Sequence, residues 1–255
     1  MLIDTHCHLY DEAFRDDFEA VLSRAREAGL EACVMPGIDR SCHDALLAVA
    51  DALPDFAYPC IGLHPTSVGE NWQEELDFVK HHLSDRRWYA IGEIGLDEYW
   101  SKDFVKEQIR VLEEQISLAA EAGLPVIIHL REATDDFFRV LDDLRGVDFR
   151  GVMHAWSGSY ESYKRLLGLA DFKFGIGGVV TYKHAGVAVA LERMSLEDVI
   201  LETDCPWLTP VPYRGKRNEP SYVRLVAEKV ALIKDLPLET VSGVTSANAK
   251  KLFKL

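Results

Sequence analysis

His6 and His8 stand one residue apart near the start of a 255-residue chain, where the apolar pair Leu2-Ile3 gives way to polar residues. In a β-strand, residues two apart point to the same face. The pair would present two imidazoles side by side at a strand end, a chelating pair in need of further ligands. Alone, such a pair is more often two surface histidines. It gains weight because ligand-type residues end other apolar runs. His64 follows Ile61-Gly62-Leu63, Glu93 lies in Ile91-Gly92-Glu93-Ile94-Gly95-Leu96-Asp97, and His129 follows Val126-Ile127-Ile128. His154 follows Gly151-Val152-Met153, and Glu202 and Asp204 follow Val199-Ile200-Leu201.

Buried ionisable groups cost several kcal/mol unless they are paired or bind metal. Cations among these residues would neutralise the carboxylates and engage the imidazoles together. His6, His8, His129 and His154 with Glu93 and Asp204 exceed one tetrahedral set. Catalytic zinc commonly takes three protein ligands and keeps a position for water. The expectation is therefore two divalent metal ions, ~3.5–4 Å apart, with Glu93 able to bridge them through its two oxygens. Imidazole and carboxylate together leave Zn, Mg and Mn open. Such cations lower the pKa of a bound water toward ~7 and make hydroxide available for hydrolysis. Glu202 and Asp204 share a face, so one can ligate while the other orients a ligand. Asp4, one step deeper, is expected as a buried, hydrogen-bonded carboxylate. His43, His81, His82 and His184 sit in helical or loop contexts and are expected at the surface.

Eight apolar runs would carry these residues: Leu2–His6, Ala32–Pro36, Ala57–Gly62, Tyr89–Glu93, Val126–His129, Gly151–His154, Phe172–Gly177 and Val199–Glu202. Between them, stretches such as Ala13–Ala28, Cys42–Leu53, Glu74–Leu83, Lys106–Glu121, Asp135–Leu144 and Tyr160–Leu169 have apolar residues at helical spacing. His184–Met194 is a weaker helical pattern, and Ser221–Lys234 and Leu238–Leu252 close the chain as helices. Alternating strand and helix implies a parallel sheet. The chain matches the ~250 residues of a TIM-type (β/α)8 barrel, an α/β fold spanning 1–255 as a single domain. A doubly wound open sheet is the alternative. Barrel enzymes build their sites at the C-terminal ends of the strands, where the ligand candidates fall.

The formal charge is -14, which argues against a broad nucleic-acid groove but suits a small pocket for an anionic end. No apolar run nears the ~20 residues of a membrane span, and no signal-peptide pattern is present. Five cysteines without a CxxC fit a reducing compartment, so a cytoplasmic protein is expected. Cys7 should point away from His6 and His8 and serve packing.

The segments Leu2-Ile3-Asp4-Thr5-His6-Cys7-His8-Leu9, Pro125-Val126-Ile127-Ile128-His129-Leu130-Arg131-Glu132-Ala133-Thr134-Asp135 and Val199-Ile200-Leu201-Glu202-Thr203-Asp204-Cys205-Pro206-Trp207-Leu208, with Arg214-Gly215-Lys216-Arg217-Asn218-Glu219-Pro220, resemble the TatD family of metal-dependent nucleases. Gly62-Leu63-His64-Pro65 and Ile91–Asp97 also look like family signatures, so the resemblance covers essentially the whole chain. It implies one metal on His6, His8, Glu93 and Asp204 and another on Glu93, His129 and His154. It also implies phosphodiester hydrolysis, often 3′-to-5′ on the ends of single-stranded DNA or RNA. Two departures leave these ligands in place. Tyr10 stands where the family often has Asp or Asn, and His154-Ala155-Trp156-Ser157-Gly158 replaces the usual His-Cys-Phe-Ser-Gly.

On this reading Asp204 assists proton transfer, His64 contacts the phosphate or protonates the leaving oxygen, and Glu202 orients a ligand or the water. Arg131 would clamp a phosphate. Trp156, Trp207, Arg214 and Arg217, with Lys216 and Tyr213 nearby, would bind phosphates and stack bases. The same constellation would also serve another ester or lactone, such as an aminoacyl-tRNA ester. A non-catalytic metal-binding protein is the third reading.

Overall fold

The structure, a computed structural model, describes residues 1–255. Eight strands alternate with α-helices: β1 (Leu2–Asp4), β2 (Leu30–Met35), β3 (Ala57–Pro59), β4 (Ile91–Asp97), β5 (Val126–Arg131), β6 (Arg150–Met153), β7 (Asp171–Ile176) and β8 (Val199–Leu201). The helices are α1 (Phe18–Glu27), α2 (His43–Ala52), α3 (Trp72–His82), α4 (Val105–Ala122), α5 (Thr134–Asp143), α6 (Tyr160–Leu167), α7 (Gly186–Arg193), α8 (Val223–Lys234) and α9 (Leu238–Phe253). Every strand pairs in parallel with its sequence neighbour within two ladders, β1 to β3 and β4 to β8.

Two seams close these ladders into a barrel. At one, Ile61 bridges Ile91, and Gly37 exchanges hydrogen bonds with the β4 backbone: its N–H donates to Gly92 O at 2.9 Å, and Glu93 N donates to Gly37 O at 2.8 Å. At the other, the last strand returns to the first. Thr5 N donates to Leu201 O at 2.9 Å, Asp204 N to His6 O at 2.8 Å and His8 N to Cys205 O at 2.9 Å. The open doubly wound sheet is thereby excluded.

The barrel interior is a small apolar layer of Ile3, Ala32, Val34, Cys60, Ala90, Ile127, Val152 and Ile200, joined by Ala249, Leu252 and Phe253 of α9. A larger cluster fills the space between strands and helices. Side chains alternate along a strand, so the face that carries Ile127, Val152 and Ile200 inward also carries His129, His154 and Glu202 inward, one step higher. On β4 the pairing slips between Ile91 and Ile94, and the inward face passes from Ala90 to Glu93. This irregularity also lets β4 continue to Asp97, beyond the Glu93 limit expected from the sequence. The first helical stretch is likewise shorter than expected. Asp11 accepts a hydrogen bond from Ala13 N and starts a 3-10 segment at Glu12–Asp17, and α1 begins only at Phe18.

Candidate metal centre

The six expected ligand residues converge at the C-terminal mouth of the barrel, where His6, His8, Glu93 and His154 are buried and His129 and Asp204 are partly exposed. His6 Nε2 lies 3.1 Å from His8 Nε2 and 3.1 Å from Glu93 Oε2. Asp204 Oδ1 lies 3.6 Å from both of these imidazole nitrogens. The other Glu93 oxygen, Oε1, faces a second group: His129 Nδ1 at 3.0 Å, His64 Nε2 at 3.3 Å and His154 Nε2 at 3.7 Å. The His6 and His154 rings stack 3.4 Å apart between centroids.

The inward nitrogens of His8, His129 and His64 are set by what the opposite side of each ring meets. Tyr10 Oη donates its single proton to Pro36 O at 2.6 Å, so at 2.8 Å it must accept from His8 Nδ1–H. With its Nδ1 proton so directed, His8 turns Nε2 toward His6, Glu93 and Asp204. Asp97 Oδ2 sits 2.8 Å from His129 Nε2, leaving Nδ1 to face Glu93. Glu202 Oε1 lies 3.0 Å from His154 Nδ1, an ion-pair distance without the alignment of a linear hydrogen bond, and accepts Ala155 N at 2.6 Å. Gly175 on β7 makes room for this carboxylate, because a Cβ there would lie 2.0 Å from Glu202 Oε2. Gly95 does the same for β5, since its Cβ would come within 1.8 Å of His129 O. His64 Nδ1 accepts from Thr66 N at 3.1 Å, so its proton is on Nε2, inside the site.

Burial by itself would depress the pKa of His129, but the carboxylates of Asp97 and Glu93 outweigh it and raise it to about 9. His154 is likewise raised to about 10, where Glu202, Glu93 and Asp204 overcome burial. Burial opposes charge on Glu93, yet His6, His64, His154 and His129 hold its carboxyl well below the usual range. Burial, with the neighbouring His154, lowers His6, and burial lowers His64. Asp4 is the buried carboxylate expected beneath the site. It accepts Thr203 N at 2.9 Å and Thr203 Oγ1 at 2.6 Å, and burial raises its pKa to about 8.

The donor set fits divalent cations. The groups His6–His8–Glu93, His6–His154–Glu202 and His64–Glu93–His129 each bring ligand atoms within 4.8 Å of one another. His6 Nδ1 and Glu202 Oε2 are buried polar atoms without a partner, a costly arrangement for a cluster with no role beyond packing. Cys7 and Cys205 also lie near Asp4, but burial pushes both thiols up and keeps them protonated.

Around this floor lies a more open rim. Trp207, half exposed, meets His8 edge-on at 5.0 Å. Trp156 is buried against Phe174 and, with Arg131 and His154, lines a cavity of about 290 Å³. Arg131 forms no ion pair; its guanidinium lies over the Tyr99 ring at 3.7 Å and near Trp100 at 5.2 Å. Arg214 lies over Tyr182 at 4.4 Å. Arg217, expected to meet substrate, is instead held by Asp17 through two bonds of 2.7 Å and also donates to Ala13 O. With Arg24 gripping Glu219, it fastens the loop after β8 to the segment around α1.

A sequence model described as TatD related DNase matches residues 3–254. The chain belongs to the TatD family. It is 39% identical to the uncharacterized metal-dependent hydrolase YabD of Bacillus subtilis over 256 residues, covering 100% of each chain. It is 30% identical to the uncharacterized metal-dependent hydrolase YcfH of Escherichia coli, covering 100% of this chain and 96% of that one. The crystal structure of the TatD homologue YjjV from Escherichia coli superposes with a TM-score of 0.92 at 29% identity, covering 100% of this chain and 98% of the other.

Within this TatD chain, sequence reasoning missed three residues that hold the site. Tyr10, noted only as a departure from the family pattern, fixes the His8 tautomer. Asp97, which lies in a quoted motif, orients His129. Asn218 Nδ2 donates to Thr203 O at 2.8 Å and to Trp207 O, bracing the turn that presents Asp204. The signal available for Asp97 was its spacing: it follows Glu93 by four residues and keeps the same strand face.

Proposed function

We propose that this metal-dependent hydrolase of the TatD family cleaves phosphodiesters at the ends of single-stranded nucleic acids, acting as a 3′-to-5′ exonuclease. The observation that carries the reading is the division of Glu93, whose Oε2 faces His6 and His8 while Oε1 faces His64, His129 and His154. Such a division suits two divalent ions, Zn, Mg or Mn. His6, His8, Glu93 and Asp204 would hold one, and Glu93, His129 and His154 the other. Bound ions would supply charge neutralisation at the phosphate and acidify a water.

The residues of the chain do the rest. Asp204 is the least covered of the carboxylates facing the imidazoles, with 14% of its side chain exposed, and it is placed to accept a proton at the mouth. His64 is kept neutral by burial and keeps its N–H inside the site, ready to donate to a phosphate or leaving oxygen. Glu202 holds His154. Arg131, Arg214 and the half-exposed Trp207 offer cations and a ring face around the mouth, and Trp156 lines the cavity beside His154. Confinement of the site to a barrel mouth in a chain of charge -14 favours a strand end over a long groove.

The test is digestion of end-labelled single-stranded DNA and RNA by metal-reconstituted protein, with ester and lactone substrates alongside. Products shortened stepwise from the 3′ end are expected. Turnover of an ester, such as an aminoacyl-tRNA ester, with no cut phosphodiester would overturn the nuclease reading. Tight metal binding with no turnover of any substrate would point to a binding protein.

A further inference from the structure

Beside the candidate metal centre, the turn after β4 displays two aromatic rings that the folded chain leaves partly open to solvent. Trp100 is 70% exposed and Tyr99 48% exposed. Neither is a loose ornament of the loop. Asp97 Oδ1 accepts the backbone N–H of Tyr99 at 3.0 Å and of Trp100 at 3.1 Å. The other oxygen of the same carboxylate holds His129 Nε2 at 2.8 Å. One carboxylate thus fixes both the turn that carries the rings and an imidazole of the candidate metal centre.

Arg131 completes the arrangement. It lies two residues beyond His129 on β5, beside Asp97 in the β4–β5 pairing. Its guanidinium packs on the Tyr99 and Trp100 rings, pairs with no carboxylate and donates no hydrogen bond within the chain. It also lines the cavity that reaches His154. In an acidic chain, a guanidinium with free donors between two exposed rings is a surface suited to an anion attached to a flat ring system.

We propose that Tyr99, Trp100 and Arg131 form a stacking platform for an unpaired base of a single-stranded nucleic acid, with Arg131 meeting the adjoining phosphate. The proposal rests on the nuclease reading above and adds the place where the strand is held. Every base offers a π face, so the platform would grip without choosing sequence. It would require the base to be unstacked from a neighbour, and would therefore prefer single strands to duplex. Because the turn is tied to Asp97, the platform stands at a fixed offset from His129 and needs little ordering on binding.

The test measures binding of a fluorescently labelled, cleavage-resistant phosphorothioate oligonucleotide to the metal-loaded protein by anisotropy. Trp100→Ala should raise Kd roughly 5- to 150-fold, the range for loss of one base–aromatic stack, and Trp100→Phe, which keeps a ring face, should restore most of it. Arg131→Ala should weaken binding and flatten its dependence on salt. KM for a single-stranded oligonucleotide should rise more than KM for a small chromogenic phosphodiester in Trp100→Ala. A blunt duplex of the same sequence should bind more weakly than the single strand. If wild type binds the phosphorothioate strand and cleaves its unmodified counterpart, yet Trp100→Ala and Tyr99→Ala bind the phosphorothioate equally well, the platform is wrong and the nuclease reading stands. If wild type neither binds the phosphorothioate strand nor cleaves the unmodified one while turning over an ester, both fall together.

Discussion

The floor of the barrel mouth and its rim are built to different rules. On the floor, His8, His129 and His154 are each held from behind by a named partner: Tyr10, Asp97 and Glu202. The carboxylates of Glu93, Asp97 and Glu202 there are buried, and Gly175 clears space for Glu202. On the rim, Trp100, Tyr99 and Trp207 are exposed and Arg131 has no acidic partner. Polar groups on the floor are expensive to leave unmatched, so their geometry is over-determined. Rim residues cost little to change. The floor sets which bond chemistry is available, while the rim sets what is held long enough to undergo it.

Four experiments would break or sharpen that contrast. The largest effect is expected from Glu93→Gln. Loss of the carboxylate that faces both imidazole groups should lower kcat/KM by on the order of 10³-fold, since metal-ion stabilisation is worth several kcal/mol. Near-normal turnover with unchanged metal content would remove the floor from the chemistry. Next comes pH. In the metal-free state His129 and His154 carry protons, their pKa values raised to about 9 and about 10. A cation must displace a proton from the inward nitrogen of each ring. Its apparent affinity should thus climb with pH by up to about tenfold per unit for each proton released, levelling once those groups are deprotonated. Calorimetry in buffers of different ionisation heat counts the protons, and a flat profile would mean these imidazoles do not ligate.

Asp97→Asn and Tyr10→Phe should follow, each weakening metal affinity about 10- to 100-fold as for other groups that orient a metal-binding histidine. Competition with a chelating dye measures it, and excess metal should restore most activity. Equal affinities in variants and wild type would make these contacts merely structural. The smallest effect belongs to Arg217→Ala. Its pair with Asp17 is about one-third exposed, so its loss should cost about 1 kcal/mol or less and lower Tm by roughly 2–4 °C. A large rise in oligonucleotide KM instead would return Arg217 to the rim.

How much of this was legible before the structure depended on the range of the interaction. The strand ends were readable because consecutive apolar runs stop at His129, His154 and Glu202, and the inward apolar layer lies two residues back on the same strand faces. The partners behind the imidazoles were less visible. Beyond its spacing from Glu93, Asp97 resembles any acid at a strand end until β4 pairs with β5 and brings its carboxylate to His129 Nε2. Tyr10 requires Pro36 O, at the end of β2, before its hydroxyl has a direction. The basic loop misled because Arg217 and Asp17 are far apart in sequence, and nothing local announces their pairing. The exposed Tyr99–Trp100 turn lies beyond the Glu93 limit expected for β4, in a stretch that carries no metal-ligand pattern.

The seam between the last strand and the first has one more implication. His6 and His8 come from the opening residues and Asp204 from the far side of the chain, brought together by backbone bonds such as Asp204 N to His6 O. A nascent or truncated polypeptide lacking β8 would hold neither Asp204 beside His6 and His8 nor Glu202 behind His154. Cation capture then reports completion of the ring, and an ion at a hundred times its Kd would favour the closed chain by about 2.7 kcal/mol. The metal would be a clasp on a circular wall, fastened only after synthesis has delivered its final stave.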